Sequence, residues 1–583
     1  MSEKFCSMCL LKKNREIIEE RLTFIYGEKR RKKIIIEIEK LLKKYSKNIS
    51  FQNKKKTFLN EKDVVLITYG DNIQADNKTP LQSLFKFADE YLDQTINIIH
   101  ILPFYPYSSD DGFSIIDYKK VNPTLGDWKD IEDIGQKFDL MFDLVANHIS
   151  TESIWFKEYL KGNPKYDNYF ISVDKDTDLS SVTRARTHPL LTKFRRKGED
   201  IYLWTTYSPD QVDINFANEN VLLEIIDVIL FYASKRARVI RMDAFGHIWK
   251  KLGTSCINLK ETHYIIQLVR AILNEAFPDT LLLTQTNVPH KENISYFGAG
   301  YNEVQLVYQF ALPLLVLHTF YTGDASRLLE WASGIKNVSD KTAFLNVLAT
   351  HDGLGVVPVK AILTDREITD IANNIKKRGG FISYKILGNG SKEPYEMNTT
   401  YYSAVADSKN SEELNIKKSI ASQAIILSLL GIPGIYIHSL FGTENYLEGV
   451  EKTGQKRTIN RKKFQYNKLK EDLANSDSRE YKIFAEFKKL IYKRKSKKAF
   501  HPNGKQEVLF LKKEIFSLLR TSPDGKEKII ALHNVTDNIQ KICFKKNQYN
   551  LNKKEYLDII SEKMIDIEKI SLKPYQIMWL KIY

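Results

Sequence analysis

Cysteine is scarce in this chain. Four cysteines in 583 residues, Cys6, Cys9, Cys256 and Cys543, are too few and too scattered for a disulfide framework. Cys6 and Cys9 form a C-x-x-C pair, but no second pair follows and no neighbouring histidine completes a zinc set. Thiols at a frayed terminus are the plainer reading, and no metal is expected. An apolar run of membrane-spanning length is also missing, which excludes a helical membrane protein. Met1 to Leu10 lack the basic-then-apolar layout of a signal peptide, so cytoplasmic residence is the expectation. There is no internal repeat. Positive charge is abundant but unfocused: 88 Lys and Arg against 72 Asp and Glu give a formal charge of +16. The runs at Lys29 to Lys33, Lys54 to Lys56 and Lys493 to Lys498 mostly lack the interleaved aromatics of a nucleic-acid module. A solvated, Lys-rich surface is expected, with no nucleic-acid or membrane partner and some steering of anionic substrates.

What remains is the composition of a soluble enzyme, 43% hydrophobic and 11% aromatic. Its length suits one large catalytic domain with smaller appendages. Residues 1–60 read as a charged helical pair packed on the main domain. Ile18, Leu22 and Ile25, then Ile34, Ile35, Ile38, Leu41 and Leu42, recur there at helical spacing. From Val64 the pattern turns to apolar strands alternating with amphipathic helices, which argues for a parallel (β/α)8 barrel. Its parts span 61–148, 216–353 and 419–498. A polar, aromatic-rich, loop-rich insertion occupies 149–215 and carries Arg184, Arg186 and His188. A second insertion, 354–418, contains Gly379-Gly380, Gly388 and Gly390, and buried structure resumes at Ile420 to Leu430. Short apolar runs from 499 to 583, such as Val508 to Leu511 and Ile529 to Leu532, predict an antiparallel β domain.

Four strand-like segments end in polar groups: Phe142 to His148, Val239 to Ala244, Leu281 to Gln285 and Ala349 to Asp352. Strand ends of a parallel barrel deliver side chains to its C-terminal mouth. Together the four segments look like the active-site strands of a retaining α-glucosidase-type barrel, where cleaving a glucosidic bond with retention needs a carboxylate nucleophile on one face and a proton donor on the other. Asp243 suits the first role, because Arg241 lies two residues earlier on the same strand face. A plain structural ion pair is the alternative. His351-Asp352 and Asn147-His148 would supply further groups to grip sugar hydroxyls. The segment ending at Gln285 delivers an amide where this chemistry wants an ionisable acid.

The chain resembles the α-amylase superfamily, and within it the sucrose phosphorylase branch, over roughly residues 60–583. The strings that carry the resemblance are Ser109-Asp110-Asp111-Gly112-Phe113, Asn147-His148, Gln211 to Asn215, Arg241-Met242-Asp243-Ala244, Gly253 to Cys256, His351-Asp352-Gly353 and Ile459-Asn460-Arg461. The N-terminal extension, Thr286 to His290 and Pro394 to Asn398 look most like glucosylglycerate phosphorylases. The resemblance implies that Asp243 is the nucleophile, Asp352 the transition-state-stabilising carboxylate, and Gln285 the occupant of the acid/base position. It implies that Asp110 and Arg461 close the bottom of the glucose pocket, with His148, Arg241 and His351 on its walls. Arg186 and Tyr395 look like residues that meet phosphate or the acceptor. His247 stands where sucrose phosphorylases carry Tyr.

A glutamine cannot deliver a proton at neutral pH, and loss of general acid help costs roughly 10²–10⁴-fold. The expected activity is therefore retaining phosphorolysis of an α-glucoside, glucosylglycerate-like or sucrose-like, in an impaired or engineered form. A hydrolase or transglucosylase, or a non-catalytic sugar-binding protein, are the alternatives. The implied partners are an α-glucoside and inorganic phosphate, with no cofactor. A homo-oligomer is compatible with the sequence.

Overall fold

The computed structural model describes residues 11–46, 58–186, 188–386, 392–544, 549 and 551–582. Cys6, Cys9, Lys54 to Lys56, Gly388 and Gly390 lie outside them. Eight strands close into a barrel in sequence order: β1 (Val65–Thr68), β2 (Ile98–Ile101), β3 (Asp139–Val145), β4 (Ala237–Asp243), β5 (Leu281–Gln285), β6 (Leu306–Tyr308), β7 (Ala343–Asn346) and β8 (Ile432–Tyr436). Nearly every strand residue is buried, which is why these segments are rich in Val, Ile and Leu on both faces, with a few buried polar residues among them. Strand register brings the polar ends level with one another. Gln285 pairs with Asp243 across β5 and β4, and Asp243 with Val145 across β4 and β3.

Two compact units share the chain. The N-terminal helices, His100–Thr286 and Glu292–Val307 form one; Leu59–Ile99, Asn287–Lys291 and Tyr308–Tyr583 form the other. In the first, α1 (Lys12–Tyr26) and α2 (Glu28–Ser46) pack on α3 (Glu219–Ser234) and α4 (Lys260–Ala276). Their buried stripes are Ile18, Leu22 and Tyr26, then Ile34, Ile35, Ile38, Leu42 and Tyr45. The expected Ile25 and Leu41 are half-buried instead. A tyrosine completes each stripe because its ring can bury while its hydroxyl finds a partner: Tyr26 Oη donates to Phe216 O (2.6 Å) and Tyr45 Oη to Asp227 Oδ1 (2.8 Å).

The insertion after β3 is more regular than its sequence implied. It holds a helix, Ile154–Lys161, capped by Ser153, and a hairpin, Leu191–Arg196 with Glu199–Trp204. Both faces of that hairpin are partly wet, so no clean two-residue alternation marks it.

In the second unit, the insertion after β7 folds as helix Asp365–Lys377 and a hairpin of Phe381–Ile386 with Lys392–Asn398. Buried structure resumes at helix Glu412–Ser428, so the boundary expected at 418 falls inside a helix. Its amphipathic start, Glu-Glu-Leu-Asn-Ile-Lys-Lys, hid it. Two buried arginines stitch the end of that helix to later parts of the chain. Arg494 donates to Leu427 O (3.0 Å), Gly431 O (3.1 Å) and Phe500 O (3.2 Å), and Arg520 to Ser428 O (2.7 Å) and His501 O (2.9 Å). Carbonyls at a helix C-terminus lack intrahelical partners and carry partial negative charge, which suits a guanidinium. The C-terminal segment is a six-stranded antiparallel sheet over an apolar core that includes Ile530, Leu532, Tyr556 and Leu580. No helix among the described residues is long and apolar enough to cross a membrane.

Candidate active site

In the first unit the site grows from the ends of β3 and β4. Arg241 is buried on β4, and its Nη1 lies 2.9 Å from Asp243 Oδ1 while also pairing with Asp143 on β3. Asp143 is fully buried and takes His100 Nε2 at 2.7 Å on its other oxygen. Burial acts to raise the Asp143 carboxyl, but Arg241 and His100 outweigh it and hold it below the usual range. Arg241 is thus gripped from behind by a permanent anion and offers its remaining charge to Asp243. Beside it, Gln285 Oε1 accepts from Ala244 N at 3.1 Å. Ala244 has a left-handed backbone (φ 50°), which turns the chain sharply just past Asp243.

Phe113 joins the other residues of this half. Its ring lies 5.7 Å from the Arg241 guanidinium, and its carbonyl accepts from His148 Nε2 (2.9 Å) and Gln211 Nε2 (3.1 Å). Gln211 also reaches Asp110 Oδ2 at 3.4 Å. Asp110 and Asp111 both have positive φ, and a side chain on Gly112 would meet Pro103 O at 2.6 Å, so this turn demands glycine there. Tyr207 gathers three residues: His148 at 5.1 Å, His247 at 6.0 Å and the Arg186 guanidinium at 5.8 Å. Burial, reinforced by the charge of Lys250, pushes His247 down to about 4, so its ring is neutral at physiological pH. Lys250 Nζ stands 2.6 Å from Asp213 Oδ2 and 2.7 Å from Asn147 Oδ1, and donates to His247 O as well. One buried ammonium therefore binds the end of β3, the insertion and the turn after β4. Among the described residues no group of three His, Cys, Asp or Glu could hold a metal ion. Cys256 is a buried free thiol and Cys543 an exposed one.

In the second unit the loop after β7 presents His351 and Asp352, with His351 Nε2 3.5 Å from Asp352 Oδ2. The ring of Tyr69 packs edge-on to His351 at 5.9 Å. Asn460 and Arg461 hold the backbone of this loop: Asn460 Nδ2 donates to Thr350 O (3.1 Å) and Asp352 O (3.2 Å), and Arg461 Nε to His351 O (3.0 Å). Arg461 is buried, with its guanidinium 5.7 Å from the Tyr69 ring. Arg457 Nη1 lies 2.6 Å from Asp352 Oδ1. Tyr395 is on the second strand of the hairpin, where its carbonyl accepts from Val356 N at 3.1 Å.

The alpha amylase catalytic-domain model matches residues 90–353. A glucosylglycerate phosphorylase of Spirochaeta thermophila is 46% identical, over 90% of this chain and 91% of its own length. Another from Escherichia coli is 41% identical over 92% and 94%. The chain belongs to the α-amylase family, in the branch of the glucosylglycerate and sucrose phosphorylases. A sucrose phosphorylase of Streptococcus mutans is 30% identical, over 82% of this chain and 98% of its own. The crystal structure of a sucrose 6F-phosphate phosphorylase from Thermoanaerobacter thermosaccharolyticum superposes with a TM-score of 0.71 at 24% identity. It covers 84% of this chain and 95% of its own, which speaks for the fold alone.

For this member of the α-amylase family, sequence reasoning gave no site role to His100, Asp143, Tyr207, Lys250, Glu396 or Arg457, although Asp143 and Glu396 lie in strings that it singled out. Asp143 carried a signal, as a charged residue inside an otherwise apolar strand. The others lie in segments whose proximity to the site is set by folding.

Proposed function

We propose that the chain is a retaining phosphorylase of an α-glucoside, glucosylglycerate-like or sucrose-like, that releases α-glucose 1-phosphate. The observation that carries this reading is Asp243, held by Arg241, in strand register with residue 285, in a chain whose relatives named glucosylglycerate phosphorylases are 41 to 46% identical. In this reading an Asp243 oxygen attacks the anomeric carbon while the bond to the leaving-group oxygen breaks, giving a glucosyl ester. Asp352 stabilises the positive charge that develops on the sugar. Phosphate, met by Arg186 and Tyr395, then attacks the same carbon and returns Asp243 to its carboxylate. Asp110, His148, His351 and Arg461 hold the sugar hydroxyls. His247 stands where sucrose phosphorylases carry Tyr, which counts against sucrose itself as the substrate.

Gln285 limits this chemistry at one step. An alkoxide leaving group needs a proton, which an amide cannot supply, whereas the phosphate of glucose 1-phosphate leaves without one. The chain should exchange labelled phosphate into glucose 1-phosphate slowly while failing to phosphorolyse ordinary glucosides. Gln285→Glu should restore phosphorolysis by roughly 10²–10⁴-fold. Gln285 is also the observation that favours a second reading, a non-catalytic sugar-binding protein. Sugar binding without any phosphate exchange would decide for it, and turnover independent of phosphate would decide for a hydrolase or transglucosylase.

A further inference from the structure

Outside the expected residues, one charged group lies directly against Asp352: the Arg457 guanidinium. It faces two carboxylates at once. Nη1 lies 2.6 Å from Asp352 Oδ1, while Nε and Nη2 reach Glu396 Oε1 (3.1 Å) and Oε2 (2.6 Å). The second contact is the two-pronged pairing for which a planar guanidinium is preorganised, and it fixes the plane of the group. Once that plane is fixed, the two N–H bonds of Nη1 are confined to it, and Asp352 Oδ1 lies within reach of Nη1. All three side chains are largely out of solvent, with 18%, 23% and 11% of Arg457, Asp352 and Glu396 exposed. Coulomb attraction there is weakly screened and side-chain wandering is small.

The surrounding backbone is built for this approach. A side chain on Gly353, next to Asp352, would meet Glu396 Cγ at 2.6 Å and Asn398 Oδ1 at 2.7 Å, so the loop can meet the hairpin only with glycine there. Lys456 Nζ donates to Ile382 O at 3.2 Å on the other hairpin strand. Residues Lys456–Asn460 therefore hold the hairpin on one side and, through Asn460, the Asp352 loop on the other.

We propose that Arg457, oriented by Glu396, is a positioning residue that holds the Asp352 carboxylate ionised and aimed for glucosyl transfer, so that the hairpin bearing Tyr395 sets the geometry of the catalytic loop. The inference rests on the proposed phosphorylase chemistry, in which Asp352 stabilises the charge developing on the sugar. Without the cation, two carboxylates packed together repel, and one lowers the repulsion by taking a proton or turning away. Either outcome removes the anion from the transition state. Lysine at position 457 would carry the charge but not the fork, and would keep Asp352 only partly in place.

The test uses α-glucosyl fluoride, whose fluoride leaves without a proton, so Gln285 does not obstruct it. The Asp243 carboxylate forms the new bond to the anomeric carbon as the carbon–fluorine bond breaks, and intact mass follows the glucosyl adduct in time. Arg457→Ala is expected to slow adduct formation about ten- to a hundredfold, with Arg457→Lys and Glu396→Gln between it and the parent. In an Asp352→Asn background, Arg457→Ala should add almost nothing, because the residue it positions is already lost. The acid limb of the adduct rate should also move to higher pH in Arg457→Ala, since a carboxylate without its cation protonates more readily. An equal penalty in both backgrounds, or an acid limb that stays where it was, would overturn the proposal and leave Arg457 as a purely structural tie. No adduct in the parent chain would instead overturn the functional reading, and this inference with it.

Discussion

A carboxylate that attacks carbon must stay ionised and must not wander. In the proposed chemistry Asp243 is that carboxylate, and it is paired with Arg241, which is itself fixed by the buried Asp143–His100 pair. This suits the nucleophile of a retaining route, and Asp243→Asn is expected to abolish the glucosyl adduct from activated donors. An adduct that survives in that variant, located by peptide mass, would place the nucleophile elsewhere. Arg186 stands over Tyr207 in a segment tied down by its neighbours: Arg184 donates to His188 O, and His188 Nε2 lies 2.7 Å from Thr205 O. Because its loop is held by other residues, replacing Arg186 should leave the fold intact. Arg186→Lys keeps the charge but loses the fork for phosphate oxygens, so the KM for phosphate should rise several-fold with glucose affinity little changed. Equal losses for both ligands would show that Arg186 serves the loop alone.

At the scale of elements, the N-terminal helices are pinned by a small set of polar contacts laid over an apolar stripe. Asp227 on α3 receives Lys44 and Tyr45 of α2, at 2.9 and 2.8 Å, and Lys119 as well. Burial acts to raise its carboxyl, and these donors outweigh it, so Asp227 titrates below its ordinary value. Asp227→Ala removes the shared acceptor and is expected to cost about 1–3 kcal/mol. Hydrogen exchange should then speed up along Glu28–Ser46 more than along the barrel strands; uniform acceleration would mean that the helix pair and barrel open as one. These helices were legible because a one-sided apolar stripe of period 3.6 is imposed by packing on a single neighbour. The insertion hairpins were not, because partly wet faces impose no alternation.

Across the whole molecule, several histidines are buried without charge. Burial drives His533 from 6.5 to about 3, and burial with help from Lys463 and Lys462 does the same to His438. Among the described residues, neither ring nitrogen of His533 has a hydrogen-bond partner. In the unfolded chain these rings bind protons below their ordinary value, while the folded protein refuses them. The unfolded state then holds more protons, and stability falls as pH drops from about 6.5 toward 3, at up to ~1.4 kcal/mol per pH unit for each ring. Urea unfolding between pH 7 and about pH 4 should show this decline, with a shallower slope in His533→Phe. Identical slopes in the two proteins would assign the acid sensitivity to other groups.

By itself the sequence determined the barrel, the helical extension, the C-terminal sheet and the residues at the strand ends. All of these obey short-range rules: burial on both faces writes continuous apolar runs, and a strand that ends at a barrel mouth ends in polar side chains. It also drew attention to the amide at position 285, which stands where the resemblance implies an acid. Tertiary structure decided the partners. Asp143 and Arg241 are 98 residues apart, Asn147 and Lys250 are 103 apart, and Glu396 and Arg457 are 61 apart. No local pattern announces such pairs, because their energy depends on distance and solvent exclusion, and both come into being only when separate segments fold against one another.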